Sequence, residues 1–379
     1  MTLEHQVDMV FAPDSVLAPV RTEWVVEKNW NGTAVVDLSG QPEHYVRYQL
    51  LRPFLPAADR VVIFPDVSPT AEGIVPTGVA MQINANRHPD YLHYVAGADI
   101  GCGMLFGRFA EPIDEGYFRN HPEMLDELYA RLQQKAKEQT AALGGGNHFL
   151  DIVADHNGSV IGYMVHTGSY GDRQVVLGTK IDNEEVYWRL YNETVKSGVG
   201  NRAQIAACVQ QVYGQADAQE DTIHNTVDLN WATGKVVIYK GVVHVPNGRT
   251  HGQAGKQPNI LIPSSMTGDM LHFAPGPAVD AKLLYGVSHG TGRKTARGAI
   301  HKVVLGAVSP AEFKVGTGLG TFSLMTPTGL GLPQSELPEN YHPLERTFDI
   351  LAEHGVLADD SISFLTPIAY IGHMSGKKR

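Results

Sequence analysis

The sequence predicts an α+β fold in a single compact unit of mixed sheets and flanking helices, and three observations carry that expectation. Helical stripes and short β-branched runs are mixed without the βαβα regularity of a doubly wound sheet. No stretch is polar and long enough to act as a linker, and no segment repeats another. Hydrophobic residues make up 43% of 379, enough to bury a substantial core as one domain over residues 1–379.

Along the chain, residues 1–60 read as mixed strand and loop. "RVVIFPDV" (60–67) is a β-branched run ending at a turn, the pattern of a buried strand. Residues 122–142 read as a helix, with Leu125, Leu128 and Leu132 on one face. "VIGYMV" (160–165) reads as a strand. Residues 184–196 and 201–214 read as a helical hairpin joined at "SGVG", because glycine weakens a helix interior. "KVVIY" (235–239) and "NILIP" (259–263) are strand-like. Residues 343–355 form a helix in which Pro343 suits the first turn, Leu344, Phe348 and Leu351 form the stripe, and Gly355 ends it.

Charge and cysteine content narrow the function classes. Forty acidic residues oppose thirty Lys and Arg, a formal net charge of −10, so no global positive field attracts nucleic acid. A bound polyanion must then use a local basic patch or a metal. Two cysteines exclude a disulfide framework and suggest a reducing, cytoplasmic setting. No basic and apolar leader opens the sequence, and no run is long enough to cross a bilayer. Glycines cluster in short loops that also carry His, Asn and Ser, the composition of site-forming loops.

The two cysteines differ. Cys208 lies on a helical stripe with Ile205, Val209 and Val212 and reads as a small core hydrophobe. Cys102, in "GADIGCGM" (97–104), has no stripe. Asp99 stands three residues before it, and the glycines on either side would leave a thiolate room to reach two ions. Paired cysteines of a zinc site are absent, so further ligands must come from distant histidines. Candidates are His148 in "GGGNHFLD", His166 in "YMVHTGSYGD" and His224 in "DTIHNTVDLN". Each alone is an ordinary structural histidine; together with Asp99 and Cys102 they can hold one ion, or two ions sharing the thiolate. Mixed O, N and S donors suit zinc, manganese or cobalt. Separately, "YGVSHGTGRKTARG" (285–298) sets His289 before a Gly-Thr-Gly turn followed by Arg293, Lys294 and Arg297. Backbone N–H groups of such a turn can cradle phosphate, and a histidine there can act as acid or nucleophile; a solvated basic loop is the alternative.

The order of "GADIGCGM", "LGGGNHFLD", "VHTGSYG", "IHN", "LIPSSM" and "SHGTGR" resembles the RtcB family of RNA ligases over about residues 60–300. The resemblance implies an α+β unit with a deep metal cleft. It implies two Mn(II) ions, GTP, and joining of RNA 3′-phosphate or 2′,3′-cyclic-phosphate ends to 5′-hydroxyl ends, as in tRNA splicing or RNA repair. Asp99, Cys102, His148, His166 and His224 would be the metal ligands, with Cys102 as the bridge. His289 would take GMP. Asn147, Asp151, Asn225, Ser265, Gly290, Thr291, Gly292 and Arg293 would surround the guanylate, and Asp151 would accept from the guanine N–H groups. Asp66 matches a family aspartate near the metals. The family suggests a monomer, and some members use an activating helper protein.

Departures are equally specific. Ser68 stands at a family histidine position, and Tyr170 replaces an arginine expected to hold RNA phosphate. "VIYKGVV" keeps Lys240 and Gly241 of a more basic motif. The usual terminal Lys-Gly pair is missing, leaving Lys377 or Lys378 as substitutes. These changes spare the ligand and nucleophile positions and alter RNA and nucleotide contacts. A phosphoesterase that opens cyclic ends without joining them, and an RNA-end binding protein without turnover, are the competing readings.

Overall fold

A computed structural model describes residues 26–70, 74–95, 99–170, 184–230, 232–245, 258–294, 304–305, 311–314, 321–330, 332–358 and 360–372. Two large sheets organise it. The first contains β1 (Val26–Trp30), β2 (Thr33–Asp37), β3 (Ala58–Ser68), β4 (Thr77–Asn84), β9 (Asn225–Asn230) and β10 (Lys235–Lys240), in the order β1-β2-β3-β4-β10-β9. Only its β2–β3 pair is parallel. The second contains β5 (Gly103–Asp114), β6 (Phe149–Ala154), β7 (Ser159–Thr167), β8 (Ala216–Ile223), β12 (Ile260–Pro263), β13 (Met270–Phe273) and β19 (Ser363–Gly372). Its order is β12-β13-β19-β6-β7-β5-β8, antiparallel throughout. Shorter ladders pair β11 (Val242–His244) with β14 (Gly286–Ser288), β15 (Val304–Leu305) with β18 (Leu332–Pro333), and β16 (Ala311–Lys314) with β17 (Thr321–Leu324).

The apolar run in β3 follows from burial on both faces. Val61 and Ile63 pack into one core cluster, while Val62 and Phe64 pack into another on the opposite face. A strand covered on both sides loses the polar alternation of a half-exposed one. The first of these clusters also takes Val46, Leu50 and Leu51 from a π-helical segment, His44–Leu51, where the sequence suggested strand and loop.

Short helices α1 (Leu92–Val95) and α2 (Glu115–Asn120) precede α3 (Pro122–Lys137), which covers the second sheet. Leu125, Leu128 and Leu132 are buried there, at roughly 2 kcal/mol of burial each. The helix stops five residues before the expected end, and Gln139 turns the chain with φ 58°. Helix α5 (Leu344–Glu353) buries the expected stripe, with Pro343 one position earlier than the first turn.

The helical hairpin is not formed. Residues Glu184–Tyr213 make one continuous helix, α4, through both glycines of "SGVG". Gly200 faces open space, but Gly198 lies against the loop before Cys102: a Cβ there would stand 2.5 Å from the Gly101 carbonyl oxygen. Close packing therefore explains a glycine that looked like a helix breaker. No helix among the described residues is long and apolar enough to cross a membrane.

Candidate metal centre and adjoining cleft

Strand register gathers the proposed ligands. Gly103, the first residue of β5, pairs with Thr167 at the end of β7 and with Ile223 at the end of β8. Phe149, the first residue of β6, pairs with His166. The starts of β5 and β6 and the ends of β7 and β8 thus share one end of the second sheet. Cys102, His148, His166 and His224 occupy those four ends, although 122 positions separate the outermost two.

The side chains converge. Cys102 Sγ lies 3.5 Å from His148 Nε2 and 3.4 Å from His166 Nε2. Two groups have mutually close donor atoms, all within 4.8 Å: Cys102, His166 and His224, and Asp99, Cys102 and His148. Cys102 belongs to both. Asp99 is exposed, and the other four are buried. His148 Nδ1 faces the Leu143 carbonyl at 2.9 Å, so donation there leaves Nε2 as the electron-pair donor toward Cys102. The ring centroids of His166 and His224 are 5.1 Å apart. Nδ1 of His224 is buried with no hydrogen-bond partner among the described residues. A soft sulfur, three imidazoles and one carboxylate at these separations fit a divalent transition-metal ion.

Electrostatics agree with that fit. Burial holds the His166 and His224 imidazoles well below the usual histidine range, with neighbouring histidines and Arg202 adding to the effect, which favours the neutral rings that a metal would need. Burial pushes the Cys102 thiol up, and Asp99 pushes it further; Arg202 and Lys240 oppose this. Burial likewise lowers Lys240, against the pull of Asp99 and Cys102. A bound cation would reverse the balance at the thiol.

The glycines around Cys102 have a different role from the one expected. Gly101 has φ 85°, and a Cβ there would meet the Thr194 carbonyl of α4 at 3.0 Å. At Gly103 a Cβ would fall 2.3 Å from the Thr222 carbonyl and 2.9 Å from Arg202 Cζ. They admit helix α4 and strand β8 rather than clearing a path for the thiolate.

His289 follows β14, in the short ladder with β11, and meets Asp66 of the first sheet. Its Nδ1 lies 2.6 Å from Asp66 Oδ2, and Ser288 Oγ donates to Asp66 Oδ1 at 3.0 Å. A carboxylate can only accept, so the imidazole Nδ1–H points at Asp66; in the neutral ring Nε2 then carries the lone pair. Asp66 is fully buried on β3. Gly292, at φ 78°, would drive a Cβ to 2.6 Å from Asp66 Cα. The His289 ring lies tilted against that of His224, 4.6 Å between centroids, which joins the two clusters.

Both sheets line a cleft of about 580 Å³ whose walls include His289 and His166, a size suited to a small ligand. Asn147, Ser265, Gly290, Thr291, Gly292 and Arg293 line it too. The hydroxyls of Ser265 and Thr291 are buried there without hydrogen-bond partners among the described residues. Two expected nucleotide contacts are not on the lining. Asn225 Oδ1 accepts from Gly241 N at 2.7 Å and braces the backbone. Asp151 is fully buried on the same face of β6 as Phe149, directly across from Tyr370, and Phe149 and Tyr370 both line the cleft. Neither Asp151 carboxylate oxygen has a partner among the described residues, and burial holds that carboxyl well above the usual range.

The expected anion loop is also modified. Arg293 is paired with Glu336 at 2.6 Å, donates to the Ser335 carbonyl at 2.8 Å and lies over the Tyr341 ring. Its charge is therefore offset within the protein. Lys294 lines the cleft, while Arg297, Lys377 and Lys378 lie outside the described residues. Tyr170 donates to the Ala136 carbonyl at the end of α3, at 3.1 Å.

Sequence reading passed over Glu336, Tyr341 and the pair Asn201–Arg202. The last had a visible signal: two polar residues interrupt the buried stripe of α4 between Gly198 and Ile205.

No protein-family profile matches the chain. The chain is 25% identical over 364 residues to the RNA-splicing ligase RtcB2 of Escherichia coli, an alignment covering 86% of this chain and 90% of that protein. The relationship to the RtcB ligases is thus a distant one that runs through most of both chains.

Proposed function

We propose that this chain is a GTP- and Mn(II)-dependent RNA ligase, one RtcB-like unit that joins 3′-phosphate or cyclic-phosphate ends to 5′-hydroxyl ends. The observation that carries this reading is the contact between two clusters: two ligand groups sharing Cys102, and beside them His289 fixed by Asp66 at the cleft. Cys102, His166 and His224 would hold one ion, and Asp99, Cys102 and His148 a second. Cations held there supply positive charge against phosphoryl oxygens.

Asp66 keeps the proton on His289 Nδ1 and aims Nε2 into the cleft. Nε2 attacks the α-phosphorus of GTP, a P–N bond forms, and the bond to pyrophosphate breaks. Asp66 stabilises the positive charge that the imidazole gains. A cyclic end is first hydrolysed by water, which breaks the bond to the 2′-oxygen and leaves a 3′-phosphate; an oxygen of the RNA 3′-phosphate then takes the guanylyl group, breaking the P–N bond and restoring His289. Attack by the 5′-hydroxyl, with loss of its proton, expels GMP. Ser265, Thr291 and Asn147 offer polar contacts to the nucleotide, and Asp151 accepts from guanine if Phe149 and Tyr370 move apart.

The test is incubation with α-labelled GTP and manganese, followed by denaturing separation. Wild type acquires an acid-labile, alkali-stable label, and His289→Ala acquires none. Absence of label in wild type would defeat the proposal. One observation favours a second reading: Tyr170, where the resemblance expects an arginine, is tied to Ala136. An enzyme that opens cyclic phosphates without joining would yield hydrolysed ends and no ligated RNA even with GTP present.

A further inference from the structure

The middle of α4 holds a buried dipeptide whose hydrogen bonds all run to ligand-bearing segments. Arg202 is fully buried. Its Nη1 donates to the carbonyls of Gly101 and Thr167, each at 2.8 Å. Its Nε and Nη2 reach the two carboxylate oxygens of Asp221 at 2.6 and 3.1 Å. Asn201 donates to the carbonyls of Ala142 and Gly168 at 2.8 and 2.9 Å, and accepts from Ala142 N at 2.9 Å.

Each of these partners stands close to a candidate ligand in sequence. Gly101 precedes Cys102. Thr167 and Gly168 follow His166. Asp221, on β8, comes three residues before His224. Ala142 precedes Leu143, whose carbonyl accepts from both His148 Nδ1 and Thr167 Oγ1. Two adjacent side chains therefore touch all four segments that deliver the sulfur and the three imidazoles.

We propose that Asn201 and Arg202 are positioning residues that set the separation of Cys102, His148, His166 and His224, so that the cluster is held at metal-binding distances by helix α4. The chemistry requires arginine: a planar fork spans two carbonyls and a carboxylate at once, which a single ammonium does not. A buried ion pair adds little stability over a well-packed apolar side chain, so stability alone gives no reason for a charge here. Groups that orient ligands from behind are worth about 10- to 100-fold in metal affinity. This role rests on the metal-binding reading above.

Cobalt(II) titration of the full chain tests it, read by the visible ligand-field bands and the near-ultraviolet sulfur-to-cobalt band. Arg202→Lys and Asp221→Ala are expected to weaken cobalt binding by about 10- to 100-fold and to reduce the sulfur band at saturation. Leu128→Ala, a core change away from the cluster, lowers the melting temperature but leaves cobalt affinity within about twofold of wild type. A folded Arg202→Lys chain with wild-type affinity and band overturns the positioning role. If Arg202→Lys does not fold, Asp221→Ala decides, because it keeps the arginine and removes its tie to the His224 strand; unchanged affinity there overturns the role equally. Absence of any cobalt band in wild type overturns the metal site itself, a separate result from a band that these variants leave untouched.

Discussion

Cys102 and Cys208 are both buried and both free, and their surroundings set them apart. Cys208 packs among Leu128, Leu132, Ile205 and Val209 in the core between α3, α4 and the second sheet. Cys102 has two imidazole nitrogens within 3.5 Å and a carboxylate close by. Burial raises both thiols, so the direction of that shift does not separate them; the chemical identity of the neighbours does. The same holds for two buried carboxylates. Asp66 accepts from Ser288 and faces the His289 N–H, whereas Asp151 has no partner among the described residues.

The sharpest test of the contrast exchanges each cysteine for alanine. Cys102→Ala is expected to abolish divalent-metal binding and GMP transfer, measured by cobalt titration and labelled GTP. Cys208→Ala should preserve both and lose about 1–2 kcal/mol of stability in urea unfolding. Equal loss of metal from the two variants would break the comparison.

The carboxylates should respond in opposite directions. Asp66→Asn leaves the metal cluster intact but misdirects His289, slowing guanylylation by about 10²-fold or more. Asp151→Asn should instead stabilise the chain by roughly 1–3 kcal/mol at neutral pH, since the cost of burying an ionisable carboxyl without a partner is removed. The sign follows from its raised folded pKa: the unfolded carboxyl ionises more readily, so ionisation costs the folded state stability as pH climbs above the ordinary carboxylate range. The gain on thermal unfolding should therefore shrink toward zero as pH falls through that range. A destabilised Asp151→Asn would mean that the carboxylate has a favourable role in the folded chain.

A smaller effect is expected at His342. Burial, with Arg346 and Lys294 nearby, lowers it to about 4. Its unfolded form takes up a proton near the ordinary 6.5, so the stability it contributes is present above that value and is lost as pH falls toward 4. His342→Gln should flatten the fall in melting temperature between pH 7 and pH 5. An unchanged slope would show that other groups dominate that window.

The strands at 60–67, 160–165, 235–239 and 259–263 were legible because their β-branched runs are local signals. The convergence of Asp99, Cys102 and the three histidines was legible only through motif order, since no spacing rule joins residues so far apart. Other features depended on contacts that leave no local trace. Arg202 reaches across 101 positions to Gly101, and the glycines beside Cys102 answer to that helix and to β8. Glycine in "SGVG" suggested a break because backbone entropy is a local quantity, whereas the packing that keeps α4 continuous is not.

That continuity sets a trap for protein engineering. A designer seeking a more stable α4 would replace either of its neighbouring glycines with alanine, expecting up to about 1 kcal/mol from helix propensity alone. At Gly200 there is room for the added methyl. At Gly198 the same methyl presses on the Gly101 carbonyl, one residue from the thiol that both ligand groups share. Two substitutions identical on a propensity scale and two residues apart thus divide into a harmless improvement and damage to the loop that carries Cys102.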